Sequence, residues 1–206
     1  MTRSKAASHS PYVVDRVNAA MHALAPAQHL LLVAHSNVGR LVPTLLEHAG
    51  RPVSGCIFVD AALAAVGGAT PIATDARLEE LRAMAVAGRL PRWTEWWHPE
   101  EVARLLPDPS VREAVAAEQP SLPLAFYEQV LPQPGHRGHA VFGYLLFGPP
   151  YEAQAADAVE RGWLVEHEPG LHLHHVIDPD SVARRLVAMT QRLLPSSACS
   201  PSRLHS

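Results

Sequence analysis

A serine closes an apolar run in "LLLVAHSNVG", which covers Leu30 to Gly39. A continuous apolar run of this length is typical of a strand that is buried on both faces of a parallel sheet. A helix is predicted directly after it, so Ser36 could simply cap that helix. The alternative is that the strand-to-helix turn presents the Ser36 hydroxyl as a nucleophile, which requires a base and an acid nearby.

Candidate partners for Ser36 follow other predicted strands. Asp60 ends the second apolar run, "VSGCIFVD", and the histidines of "LHLHHVIDP" follow a later strand. Ligands of open α/β sheets bind beyond the carboxyl ends of the strands, so we expect these groups at one edge. A histidine there could remove the serine proton while an acid orients the ring and stabilises the imidazolium. Nucleophilic catalysis is therefore the chemistry to consider.

Apolar periodicity and Pro/Gly punctuation divide the chain into alternating elements. We predict strands over 29–34, 53–60, 139–148 and 163–168, and helices over 12–25, 39–50, 75–88, 151–162 and 180–194. This order indicates an α/β fold with an open, mainly parallel sheet of about four strands flanked by helices. Residues 1–63 and 139–194 would form the core, 64–138 a helical cap without strand signal, and 195–206 a disordered tail.

The predicted cap contains three tryptophans, Trp93, Trp96 and Trp97, at helical spacing. Such spacing is typical of an ordinary core. If the cap folds over the sheet edge, the same indoles would line an apolar substrate pocket. Both interpretations remain open from the sequence.

Composition excludes several classes of function. The formal net charge of −3 supplies no basic field for nucleic acid. No apolar run reaches the roughly 18 residues that suggest a membrane span, and the first residues lack the apolar core of a signal peptide. We therefore expect a soluble, cytoplasmic protein with a small-molecule substrate. Although His172 and His174 could share a face, no set of further ligands at recognisable spacing accompanies them, so no metal is expected.

Two motifs resemble the α/β-hydrolase superfamily. "VAHSNVG" is similar to its nucleophile elbow, and "LHLHHVIDP" to its terminal histidine segment, where the histidine precedes Asp-Pro by the spacing of His172 to Asp178. The order Ser, acid, His also fits that superfamily. The resemblance implies that Ser36 is the nucleophile, His172 its base and the Asn37 backbone N–H an oxyanion donor, with no cofactor. His35 would be a packing residue or a contact to substrate.

The acid is less clear because "GPPY" places Tyr151 where the superfamily commonly has Asp. Glu152, one residue later, is our first choice and Asp60 the alternative. Each also has a structural interpretation, Glu152 as a first-turn acid of a helix and Asp60 as a partner of neighbouring backbone.

The sequence departs from the superfamily pattern elsewhere. Val38 occupies a position where a small residue is usual, with Gly39 one place later, and Leu171 stands where Gly is usual before the histidine. A looser elbow is the expected result. The superfamily also has several strands before the elbow, one of which is followed by a loop that supplies a second oxyanion N–H. Here only one helix precedes it, so we expect an N-terminally truncated fold with an exposed apolar edge, inviting self-association or a partner.

The resemblance implies a serine hydrolase of the esterase or thioesterase kind, or a related acyl transferase, acting on a small apolar substrate. The alternative is a non-catalytic, truncated hydrolase fold that serves as a binding module or is an inactive remnant.

Overall fold

A four-stranded parallel sheet lies at the centre of the computed structural model, which describes residues 12–24, 30–132 and 140–194. The predicted disordered tail, 195–206, lies outside the described residues. The strands of the sheet are β1 (Leu31–Ser36), β2 (Gly55–Ala61), β5 (Val141–Leu146) and β6 (Leu164–His167), in the spatial order β1-β2-β5-β6. A separate antiparallel pair consists of β3 (Thr70–Pro71) and β4 (Val130–Leu131).

Helices connect and cover these strands. They are α1 (Tyr12–Ala23), α2 (Val42–His48), α3 (Asp75–Met84), α4 (Pro99–Leu105), α5 (Pro109–Glu118), α6 (Leu124–Tyr127), α7 (Glu152–Glu160), α8 (His174–Ile177) and α9 (Pro179–Leu193). The predicted α/β class with a parallel sheet of about four strands is confirmed. One predicted helix, 39–50, is in fact a 3₁₀ helix over Asn37–Leu41 that continues as α2. Pro43 lies in the first turn of α2, where its missing N–H costs no hydrogen bond.

Strand β2 is buried along its whole length, which explains its continuous apolar sequence. Cys56 and Phe58 belong to the core cluster shared with α2 and α7. Ile57 and Val59 face the opposite side, where they pack with residues of α9. Because side chains alternate along a strand, β2 contributes to the core on both faces of the sheet.

The segment between β2 and β5 contains α3 to α6 and, against the sequence prediction, two short strands. Thr70 pairs with Leu131, and the adjacent Ile72 N–H donates to the Gln129 carbonyl. Two residues are too few to show an alternating pattern in the sequence. Such a short pair is stabilised by the surrounding core rather than by local propensity. Buried Ile72 and Leu131 share a cluster with Leu41 of the 3₁₀ helix, which ties the segment to the sheet core.

Strand β1 forms one edge of the sheet, and its Val33 side chain is 53% exposed. An exposed apolar edge that invites self-association or a partner remains a prediction. Within the part of the chain that the structure describes, no helix has the length and apolar character needed to cross a membrane.

Tyr144 of β5 holds the end of β2 in place. Its buried hydroxyl accepts from the Ala61 N–H at 3.0 Å and donates to the Ala61 carbonyl at 2.8 Å. The preceding residue, Asp60, has a φ of 43°, a conformation that L-residues rarely adopt. The hydroxyl therefore satisfies two backbone groups that this irregular strand end would otherwise leave buried and unpaired.

Replacing Tyr144 with Phe should therefore destabilise the protein markedly. Each buried group left without a partner costs about 1–3 kcal/mol, so we expect a loss of at least about 2 kcal/mol in the free energy of unfolding, measured by urea denaturation. Tyr127→Phe is the matched control, because its hydroxyl makes no hydrogen bond with another described residue. Equal stabilities of the two variants would contradict this account of Tyr144.

Candidate active site

Ser36 ends β1 in a strained backbone conformation. Its φ is 60° and ψ −136°, and the chain turns directly into the 3₁₀ helix that starts at Asn37. The Ser36 side chain makes no capping hydrogen bond to that helix. Its Oγ instead lies 3.0 Å from His172 Nε2. The helix-cap interpretation of Ser36 therefore lacks its defining contact, and the strain is of the kind that functional turns retain.

The small residue that this turn requires is Gly39. A Cβ built on Gly39 would lie 2.1 Å from the backbone carbonyl oxygen of Ala62, so no side chain fits there. Val38 points outward and is 38% exposed, which lets a β-branched residue occupy the position without a clash. The turn is thus tightly packed rather than loose. Its close contact with the Ala62 backbone is made by Gly39, one residue later than the superfamily pattern predicts.

Asp60 reaches the same edge through an irregularity in β2. His35 pairs with Val59 whereas Ser36 pairs with Ala61, so Asp60 is an extra residue in the register. Such bulges redirect a side chain out of the regular alternation. The carboxylate is 1% exposed, and its Oδ1 accepts from the Phe147 N–H at 3.0 Å.

His172 connects Asp60 to Ser36. Its Nδ1 lies 2.7 Å from Asp60 Oδ2, and its Nε2 lies 3.0 Å from Ser36 Oγ. A carboxylate only accepts, so Nδ1 carries the ring proton and donates it, which leaves Nε2 free to accept from the serine hydroxyl. This arrangement can accept the serine proton and stabilise the resulting imidazolium.

Two aromatic rings stack with the imidazole of His172. The Tyr151 ring is stacked at a centroid distance of 5.1 Å, and the His35 ring at 4.5 Å. His35 Nε2–H also donates to the His172 backbone carbonyl at 2.9 Å. Burial, with a further contribution from His172, lowers the pKa of His35 to about 3, so His35 is a neutral donor at ordinary pH.

Neither His35 nor Glu152 is among the residues that line the cavity next to Ser36. His35 packs against the His172 ring and is not among the residues that line the cavity described below, so a contact between His35 and substrate stays a prediction. Glu152 is exposed at the first turn of α7. Both nitrogens of His172 are already engaged, so the acid beside the imidazole is Asp60 rather than Glu152.

Tyr151 also lies at the site. In the sequence it is distinguished only by occupying the position where the α/β-hydrolase superfamily commonly has Asp. Its hydroxyl lies 3.5 Å from Ser36 Oγ, and burial raises the pKa of its phenol, which keeps the proton on the oxygen. A 3₁₀ helix over Pro149–Tyr151 carries the residue from the end of β5 to the serine. No sequence pattern that we considered marks this contact.

A cavity of about 610 Å³ opens onto Ser36 and His172. This volume lies in the range of small-molecule sites. The three tryptophans predicted for substrate contact, Trp93, Trp96 and Trp97, all line it. Trp96 also packs with the core of the inserted helices and donates from Nε1 to the Pro91 carbonyl, so it belongs to that core as well as to the cavity wall.

Metal ligation was the other chemistry that the histidine-rich segment suggested. Across residues 12–24, 30–132 and 140–194, no group of three or more His, Cys, Asp or Glu side chains is arranged to hold a metal ion. His174 instead packs on Gly170, where its ring occupies the space of a Cβ, and against Phe147. The structure thus gives His174 a packing role.

Comparison with known proteins identifies the architecture. The sequence matches no protein-family model, and no curated protein matches it significantly. The structure is similar to that of polyneuridine aldehyde esterase, with a TM-score of 0.59 and 14% identity over 86% of this chain and 78% of the esterase.

Two further structures are similar to the same extent. A variant of tomato methylketone synthase I complexed with β-ketoheptanoate has a TM-score of 0.60 and 14% identity, covering 87% of this chain and 78% of its own. An extracellular α/β-hydrolase from a Paenibacillus species, homologous to tobacco salicylic acid binding protein 2, has a TM-score of 0.60 and 16% identity, covering 86% and 76%. The resemblance found in the two sequence motifs is confirmed, and the chain has the α/β-hydrolase fold.

Proposed function

We propose that the protein is a serine hydrolase that cleaves an ester or thioester of a small, largely apolar substrate. The observation that carries this proposal is the hydrogen-bonded chain from buried Asp60 through His172 to Ser36, which ends at the wall of a tryptophan-lined cavity. The neighbours in fold include an esterase and a hydrolase, which supports the same reaction class.

In the proposed reaction, His172 Nε2 takes the Ser36 proton as Oγ attacks the substrate carbonyl carbon. Asp60 holds the other ring nitrogen and stabilises the imidazolium by its charge. The same proton then passes to the departing alkoxide or thiolate, and an acyl-enzyme remains. A water molecule, deprotonated by His172, attacks that acyl group and releases the acid and free Ser36.

The negative charge that develops on the carbonyl oxygen needs donors. Asn37 is the first residue of a 3₁₀ helix. Backbone N–H groups in the first turn of a helix have no partner within that helix, so the Asn37 N–H can serve as one donor. We propose the Tyr151 hydroxyl as the second donor, since it is within 3.5 Å of Ser36 Oγ and burial keeps it protonated. A side-chain hydroxyl would then supply what a backbone N–H provides in other members of the fold.

The alternative remains a non-catalytic hydrolase fold that binds a ligand or partner. A cytoplasmic location and association through the β1 edge also remain predictions. Reaction with a fluorophosphonate distinguishes a serine hydrolase from a non-catalytic fold. The reagent labels a serine only when that serine is activated as a nucleophile.

A fluorophosphonate probe should label the native protein, and Ser36→Ala should abolish the labelling. Mass spectrometry of the labelled peptide would identify the site. Ser110→Ala is the matched control, because Ser110 lies at the start of α5 and bonds to Asp108, so labelling should persist in that variant. A folded native protein that stays unlabelled would favour the non-catalytic alternative.

Two acid variants test which carboxylate orients His172. Asp60→Asn should lower kcat by about 10³–10⁴-fold, because an amide does not stabilise the imidazolium and favours the wrong tautomer. Glu152→Gln, its control, should change kcat by less than about twofold, since exposed residues away from such contacts have small effects.

Circular dichroism of both acid variants would confirm that the fold is retained. A larger loss of kcat in Glu152→Gln than in Asp60→Asn would identify Glu152, the residue preferred from the sequence, as the catalytic acid.

Tyr151→Phe tests the proposed second oxyanion donor. The ring that stacks on His172 is retained and only the hydroxyl is lost, so kcat should fall by about 10²-fold with little change in KM. A merely structural hydroxyl would alter stability or KM instead. An unchanged kcat would show that Tyr151 does not stabilise the transition state.

A further inference from the structure

Arg40 is a charged residue in the cavity wall that the proposed reaction does not use. It lies in the 3₁₀ helix that follows Ser36 and lines the same cavity as Ser36 and Tyr151. Its Nη1 donates to the Pro71 carbonyl at 3.2 Å, and its Nε is buried without a hydrogen-bond partner among the described residues. The guanidinium is therefore held in place while part of its hydrogen-bonding capacity is unused.

The charge of Arg40 is not compensated by a carboxylate. Among the residues that the structure describes, no Asp or Glu oxygen lies within ion-pair distance of it, whereas Arg77 in the same wall pairs with Glu80 and covers the rings of Trp96 and Trp97. Burial lowers the pKa of Arg40, which reflects the partial loss of water around its charge. A half-buried cation without a counter-ion among the described residues is costly for a fold, so its position in the same cavity wall as Ser36 calls for a functional explanation.

The cavity as a whole carries excess positive charge. Among the residues that the structure describes, its wall contains Arg40, Arg77 and Arg104 and one acid, Glu101, although the protein has a net charge of −3. Glu101 is exposed and its carboxylate accepts from the His98 N–H at the start of α4. A cavity that concentrates one sign of charge attracts ligands of the opposite sign.

We propose that Arg40 binds a carboxylate of the substrate, so that the preferred substrates are esters that also carry a free carboxylate, such as monoesters of dicarboxylic acids. This inference rests on the proposed hydrolase function and defines its substrate class. The apolar part of such a substrate would contact the tryptophans, while its carboxylate pairs with the planar guanidinium, which suits carboxylates better than a point charge does.

The test compares an anionic ester with its neutral counterpart, 4-nitrophenyl hydrogen adipate with 4-nitrophenyl methyl adipate. The native protein should favour the anionic ester by about 10- to 100-fold in kcat/KM, the range expected for hydrogen bonds to a charged group. In Arg40→Gln this preference should fall to within about twofold, chiefly through a higher KM for the anionic ester. Arg184→Gln makes the same charge change on the exposed surface of α9 and should keep the preference.

Binding of adipate itself provides a readout that is independent of turnover. Tryptophan fluorescence should report saturable binding to the native protein and to Ser36→Ala, and binding at least 10-fold weaker to Arg40→Gln. Hydrolysis of both esters at equal kcat/KM, with adipate binding unchanged by Arg40→Gln, would overturn the carboxylate site and leave the hydrolase function intact. Adipate binding that depends on Arg40, without hydrolysis of either ester, would support the site and refute the hydrolase.

Discussion

The buried carboxylate of Asp60 is the constraint on which the site depends. A carboxylate that is 1% exposed must find hydrogen-bond donors inside the protein, because burying it unpaired would cost several kcal/mol. It finds them in the Phe147 N–H after β5 and in the imidazole of His172 after β6. One side chain thus joins the ends of three strands and brings a distant histidine to the serine.

Strain and packing are combined around this interaction. Ser36 and Asp60 both have positive φ, at 60° and 43°, at the ends of neighbouring strands. The Tyr144 hydroxyl satisfies the backbone just beyond Asp60, and Gly39 allows the turn after Ser36 to pack against Ala62. The core therefore supplies the stability that holds these two unfavourable backbone conformations, and with them the hydrogen-bonded chain from Asp60 through His172 to Ser36.

The inserted helices supply much of the cavity wall at this edge of the sheet. Part of the cavity wall is apolar and is formed by Trp93, Trp96 and Trp97. The guanidinium of Arg40 adds a positive charge that no Asp or Glu among the described residues pairs with. A largely apolar cavity with a few well-placed charged groups suits ligands that are themselves amphipathic. The proposed esterase chemistry and the proposed carboxylate site thus describe one substrate, with the scissile carbonyl at Ser36 and an anion at Arg40.

The sequence by itself determined the parallel sheet, the position of Ser36 at a strand end and the segment that contains His172. These features depend on local periodicity and spacing, which neighbouring residues encode. Only the tertiary structure places Asp60, and not Glu152, beside His172, because this contact depends on a register irregularity in β2 and on the partners of the two His172 nitrogens. The positions of Tyr151 and Arg40 in the cavity wall likewise depend on the tertiary structure. They result from the way β2, β5 and the inserted segment pack together, which local sequence patterns do not specify.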